Sequence, residues 1–215
     1  MKFYNEIISK LKSGEPFKFS RWGDGEWLCM IGAEGHNRDG NTYIPELGTE
    51  LLTILNSQPG YYIGIQHGVF YNERLRVHAI NELFRNDTLN LVDGDILHKA
   101  SEFGYLQPFV DALKSRNTVI IGTNYFSALP FRHIVTPGTN SYDYNEKIFR
   151  EIDLMDETGH NYNPVYLVAS AMNSNVIIDK LPDNVTAIDI GSVLDPYLGI
   201  SRASYQHNTK FKPLW

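Results

Sequence analysis

Two carboxylates, Asp24 and Glu26, stand one glycine apart, and Arg21 and Gly23 lie just before them. They belong to the string Phe19-Ser20-Arg21-Trp22-Gly23-Asp24-Gly25-Glu26-Trp27. An Asp-x-Glu turn offers hard oxygens to Mg²⁺ or Mn²⁺. These ions commonly share their coordination between one or two carboxylates and the phosphates of a substrate. Gly23 and Gly25 let backbone come close to a ligand, and a guanidinium such as that of Arg21 can fork onto phosphate oxygens as an ammonium cannot. The set therefore points to a site for a metal-bridged diphosphate, with Asp24 and Glu26 as metal ligands and Arg21, Gly23 and Asp24 as donor-binding residues. A plainer account fits the same residues: Asp24-Gly25 is a turn, Arg21 pairs with a nearby acid, and both tryptophans are core.

These residues need elements to hold them. The chain has 215 residues, 42% hydrophobic and 20% charged, which is globular composition for one domain spanning 1–215. Its formal charge of −6 weighs against broad nucleic-acid binding, which needs a positive field. The lone Cys29 excludes an intrachain disulfide framework. With no signal-type apolar run and no stretch of transmembrane length, the expectation is a soluble, cytoplasmic protein.

Residues 2 to 13 carry a helical apolar face, and a short strand around Phe17 and Phe19 delivers Arg21 to the signature. A helical turn from Glu26 to Ile31 follows, then a polar, glycine-rich loop over 32 to 45 that is expected to move beside it. Leu47 to Gln58 reads as helix. Strand-like runs then recur at 61–65, 88–92, 118–121, 132–135, 165–169 and 185–190, with helical material between them at 71–85, 95–114, 140–154 and 173–181. Continuous apolar strands alternating with helices predict a Rossmann-like α/β domain of about six mainly parallel strands covered on both faces, with Thr118–Ile121 near the centre.

In such sheets ligands gather at the carboxyl ends of strands. The residues there include Gly122, Thr123, Asn124, Asn140, Ser170, Asn173 and Asp189, polar and small enough to meet a nucleotide. The same residues also build ordinary turns and caps. The Gly122 loop follows the most apolar strand and opens toward a helix, so Gly122, Thr123 and Asn124 are candidate phosphate contacts. His67, His133 and His207 are too scattered to imply zinc by spacing. Arg202, His207, Lys210 and Lys212 give the tail a cationic character beside Tyr205, Phe211 and Trp215, as a contact for an acceptor or as a solvated end packed by its aromatics.

The string Ser-Arg-Trp-Gly-Asp-Gly-Glu resembles the N-terminal signature of the GT-D-type glycosyltransferases, whose Arg-aromatic-Gly-Asp-Gly-Glu carries a metal-dependent Asp-x-Glu motif. A second point of resemblance is Asp189-Ile190-Gly191 followed by Asp195. A third is Pro137-Gly138-Thr139-Asn140-Ser141-Tyr142, similar to a Pro-x-x-Asn-small-aromatic loop that adds Asn140 to the donor contacts. The resemblance implies a GT-D-like fold and sugar transfer from a nucleotide-sugar, a UDP-sugar by preference, with Mn²⁺ or Mg²⁺ helping the diphosphate leave. The acceptor it implies is a saccharide or glycoconjugate; a modified base in nucleic acid ranks lower for so acidic a chain. Asp189 and Asp195 become the candidates for the catalytic carboxylate. A non-catalytic α/β module that binds a nucleotide or sugar is the competing reading, and a metal-dependent phosphohydrolase is a third. Asp24 and Glu26 stand too close in sequence to straddle a glycosidic bond as a hydrolase pair, which needs ~5 to 9.5 Å between carboxyls.

Overall fold

The computed structural model describes residues 2–157, 163–202, 206 and 214–215. Tyr205, His207, Lys210, Phe211 and Lys212 of the cationic tail lie outside the described residues. Seven strands form one sheet: β1 (Lys18–Trp22), β2 (Tyr62–Ile65), β3 (Asn90–Asp93), β4 (Thr118–Gly122), β5 (Arg132–Val135), β6 (Val165–Ala169) and β7 (Thr186–Asp189). Their order is β3-β2-β1-β7-β6-β4-β5, and every pairing is parallel. The helices are α1 (Lys2–Ser13), α2 (Asp24–Met30), α3 (Pro45–Asn56), α4 (Glu73–Arg85), α5 (Ile96–Glu102), α6 (Gln107–Lys114), α7 (Asn145–Glu157) and α8 (Asn173–Lys180). The expected parallel α/β architecture is thus present, with seven strands rather than about six. Among the described residues no helix is long and apolar enough to cross a membrane.

The apolar strands explain the two-sided covering. Successive side chains point to opposite faces, so Ile120, Leu167 and Ile188 join one core with α1, α5 and α6 residues such as Ile7, Leu97 and Phe109. On the other face Val119, Ile121, Tyr166, Val168 and Ala187 pack with Ile148, Ile152 and Ile177 of α7 and α8. Beside them Trp22, Trp27, Leu51, Leu75 and Val176 form the cluster that seats α2, α3 and α4. Both tryptophans are fully buried with ring centroids 6.3 Å apart. They are core, as the plainer account had it.

Two expectations need correction. Thr118–Ile121 is not central, because β4 lies one strand from the edge and β7 holds the middle. An apolar run records that both faces are covered, not where a strand lies laterally. The helical stretch over 95–114 is two helices. Gly104 adopts a left-handed φ of +74°, and Tyr105 N–H closes α5 on the Ala100 carbonyl at 2.7 Å. Gly tolerates that conformation without steric cost, so the chain turns there.

Candidate active site

Seven parallel strands send all their carboxyl ends to one edge. A cleft of about 740 Å³ opens there, and Arg21, Gly23, Asp24, Glu26, Thr123 and Asp189 all line it. Arg21 comes from β1 and Asp189 from the end of neighbouring β7, so residues 168 positions apart in the sequence meet through one strand pairing. The Arg21 Nη1 lies 3.7 Å from Asp189 Oδ1, and its Nε donates to the Gly94 carbonyl at 2.9 Å. Asp189 Oδ1 also accepts the Gly191 N–H at 2.8 Å. Gly191 is required at that turn. Its φ is +46°, and a β-carbon would stand 2.1 Å from Arg21 Nη1.

The signature itself runs straight from strand into helix. β1 ends at Trp22, Gly23 is extended, and α2 starts at Asp24, two residues before the expected turn. The Glu26 carboxylate folds back to accept the Gly23 N–H at 2.8 Å, and with Asp24 it places negative charge on the first turn, where the helix dipole favours it. Asp24 is exposed to the cleft while Glu26 is buried. A β-carbon on Gly23 would fall 1.9 Å from the Gln66 side-chain oxygen, so only glycine lets that side chain sit there.

Burial dominates the electrostatics. It raises the Glu26 carboxyl to about 7, with the nearby Asp189 charge adding to the rise. It raises Asp189 to about 6, partly offset by Arg21 and by the Gly191 N–H. Two buried carboxylates thus share one buried guanidinium and repel each other, a donor set with electrostatic room for a further cation. Hard carboxylate oxygens at Asp24 and Glu26 fit Mg²⁺ or Mn²⁺ chemically.

The remaining expected residues fall elsewhere. Gly122 is buried against the Phe126 ring, which a β-carbon would meet at 2.7 Å, and its carbonyl accepts the Thr136 N–H at 2.8 Å. Asn124 begins a short 3₁₀ turn, Asn124–Ala128, on the exposed side of Thr123. Neither lines the cleft. Asn140, at φ +52°, exchanges hydrogen bonds with the glycine-rich loop. Its side-chain oxygen accepts the Thr42 N–H at 2.8 Å, and its own N–H reaches Asn41 Oδ1 at 2.9 Å. That exchange fixes the 37–42 segment over the cleft, and Asn37, Arg38, Asp39 and Asn41 line it. Asp195 is fully buried behind the wall, accepting from Arg202 Nε at 2.5 Å and from the Tyr125 hydroxyl at 3.2 Å.

The fold brings further residues to the cleft, among them Arg202 from the cationic tail and the residues that follow β2 and β3. Arg202 donates to the Tyr125 hydroxyl at 2.9 Å and comes within 3.7 Å of Asp39. His98 Nε2 lies 3.1 Å from Ser192 Oγ. Burial, with Arg21 and Arg202 adding to it, holds its imidazole well below the ordinary histidine value and so neutral. At the rim, His67, Asp93 and Asp95 bring one ligating atom each within 4.8 Å of one another. His67 follows β2 and the aspartates end the adjacent β3, so only strand pairing brings them together.

No protein-family model matches the chain, and no curated protein does. Two solved structures resemble it, each aligning with 97% of this chain and 88% of its own. Both are of the domain of unknown function 1792, at 18% identity, with TM-scores of 0.62 for a selenomethionine-substituted form and 0.63 for the other. The second is described as a highly conserved domain with a distinct glycosyltransferase fold. This chain accordingly has a glycosyltransferase-type α/β fold.

Proposed function

We propose that this protein, read as one catalytic domain over 1–215, is a metal-dependent glycosyltransferase. It would move a sugar from a nucleotide-sugar, a UDP-sugar by preference, to a saccharide or glycoconjugate acceptor. The observation that carries this reading is the meeting of Arg21, Asp24, Glu26 and Asp189 in one cleft of a size suited to such a donor. The glycosyltransferase fold of the solved relatives supports it.

Asp24 and Glu26 would hold Mn²⁺ or Mg²⁺, which when bound supplies positive charge to the departing diphosphate. Arg21 adds a fixed guanidinium to the same leaving group. Gly23 allows the backbone to approach the diphosphate, and the Thr123 turn closes the far side. Asp189 takes the acceptor hydroxyl proton onto its carboxylate as the acceptor oxygen bonds to the sugar carbon and the bond from that carbon to the diphosphate breaks. Its raised value suits a base working near neutral pH. Asp195 acts one step back, positioning Arg202.

A nucleotide-binding module without catalysis gains some support from Asp189, whose Oδ1 is already engaged by Gly191 and faces Arg21. One experiment separates the two. The protein is incubated with a panel of nucleotide-sugars, Mn²⁺ and saccharide acceptors, and nucleotide diphosphate release is followed. Acceptor-dependent release that disappears in Asp189→Asn supports the enzyme; tight UDP binding with no release from any donor supports the binder.

A further inference from the structure

The chain holds a second carboxylate-glycine-carboxylate motif, Asp93-Gly94-Asp95, at the end of β3. We propose that His67, Asp93 and Asp95 form a binding site for a divalent first-row transition ion at the cleft rim, separate from Asp24 and Glu26. The inference does not depend on the sugar-transfer reading.

The first support is convergence. One ligating atom from each of His67, Asp93 and Asp95 lies within 4.8 Å of the other two. Ligands held ~2.1 Å from a tetrahedral metal stand roughly 3.4 Å apart, so a contraction of about 1.4 Å at most closes the set. Both aspartates are also pre-oriented. Asp93 Oδ1 accepts the Asp95 N–H at 2.9 Å, and Asp95 Oδ2 accepts the His67 N–H at 2.9 Å. These bonds fix the carboxylates while leaving lone pairs for a metal.

The second support is that the chain already places a cation among these groups. Lys99 Nζ stands 2.6 Å from Asp93 Oδ2 and 3.4 Å from His67 Nδ1. An ammonium has three donors and no acceptor, so the imidazole nitrogen facing it presents a lone pair. Carboxylate and imidazole thus point electron pairs at a position occupied by positive charge. Lys99 is itself over a third exposed on a flexible stem, so it can leave without disturbing the fold. One imidazole and two carboxylates suit Mn²⁺, Co²⁺ or Zn²⁺ better than Mg²⁺, and three protein ligands leave coordination positions open toward the cleft, which His67, Asp95 and Lys99 line.

The test is Mn²⁺ titration of the full chain, read by calorimetry and by pulsed EPR for nitrogen coupling to the bound ion. Nitrogen coupling is expected in the wild type and in Glu26→Gln, and it should vanish in His67→Ala. Lys99→Met, which removes the competing ammonium, should bind Mn²⁺ about tenfold more tightly at the same site. Coupling that persists in His67→Ala, wild-type Mn²⁺ binding without any nitrogen coupling, or Lys99→Met binding no tighter than wild type would each overturn the assignment. Circular dichroism of each variant establishes that it is folded. Asp95→Asn supplies the carboxylate test, with at least tenfold weaker binding expected and unchanged binding counting against the site. Failure of the sugar-transfer reading would appear instead as absent turnover, leaving the nitrogen signal intact.

Discussion

Replacing Glu26 with glutamine should make the protein more stable, and only above the acid range. The side chain is buried, its carboxyl is raised from 4.5 to about 7, and a second carboxylate, Asp189, contributes to that rise. A carboxyl with a folded value above its unfolded one favours the fold while protonated. That contribution is complete below about 4.5 and is lost as pH climbs through about 7. At 1.36 kcal/mol per unit, the rise corresponds to on the order of 3 kcal/mol lost by pH 8. The glutamine would keep an oxygen for the Gly23 N–H while carrying no charge, so most of that loss should be recovered. For a chain of this length each kcal/mol moves the midpoint by roughly 2–4 °C. The assay is thermal unfolding of both proteins in matched buffers from pH 5 to pH 8, with EDTA present to remove bound cations. The two curves should coincide near pH 5 and diverge by several degrees at pH 8, the variant being higher. Adding Mn²⁺ at pH 8 should raise the wild type more than the variant. A variant that melts at or below the wild type across the whole range would refute the claim that Glu26 is held at electrostatic cost.

Asp189→Asn should leave the fold intact and lower transfer ~10² to 10⁴-fold if the carboxylate is the base, measured as turnover and thermal midpoint on one sample; undiminished turnover removes it from the mechanism. Because Asp189 is raised to about 6 and must be ionised to accept a proton, turnover should climb with pH through about 6, and a flat profile between 5 and 7 would contradict that. Gly191→Ala should cost about 1–3 kcal/mol from the left-handed backbone, with weaker UDP binding by calorimetry because the added methyl drives Arg21 aside; wild-type affinity and stability would show that Arg21 does not need its observed place. Asp195→Asn breaks a pair whose acid is fully buried and whose arginine is partly exposed, so denaturant unfolding should show a loss of about 3 kcal/mol or less, and no loss at all would mean that Arg202 does not need this partner.

The layers of this fold were legible because burial on both faces leaves a continuous apolar run: Val165–Ala169 emerges with the bounds that its composition suggested. The lateral place of a strand leaves no such trace, which is why Thr118–Ile121 looked central. Residues contributed by one contiguous stretch, Arg21 to Glu26, could be read together. His67 with Asp93 and Asp95 could not, since the distance between them closes only through the β2–β3 pairing. Asn140 looked like a ligand contact because asparagine at a strand end serves turns and ligands alike. In the fold it bonds to loop residues 98 and 99 positions earlier. Nor does a sequence register burial, so the displaced carboxyls of Glu26 and Asp189 had no signature.

The pairing of β1 with β7 has a consequence for how the protein comes into being. Among the described strands β1 comes earliest in the sequence and β7 latest, and they lie side by side in the middle of the sheet. While the chain is still being synthesised, β1 can join β2 and β3, but its other edge stays open until residue 186 and beyond have left the ribosome. Over that interval the Arg21 guanidinium has no Asp189 opposite it and the Phe19 side of the strand is uncovered. Closing so long a loop is slow relative to local helix formation, so the nascent chain should spend its longest vulnerable period with this edge exposed to chaperones or to mispairing. The cleft therefore cannot be completed until β7 has paired with β1. A ribosome-stalled chain ending before β7 should contain folded helices and an incomplete cleft that lacks Asp189.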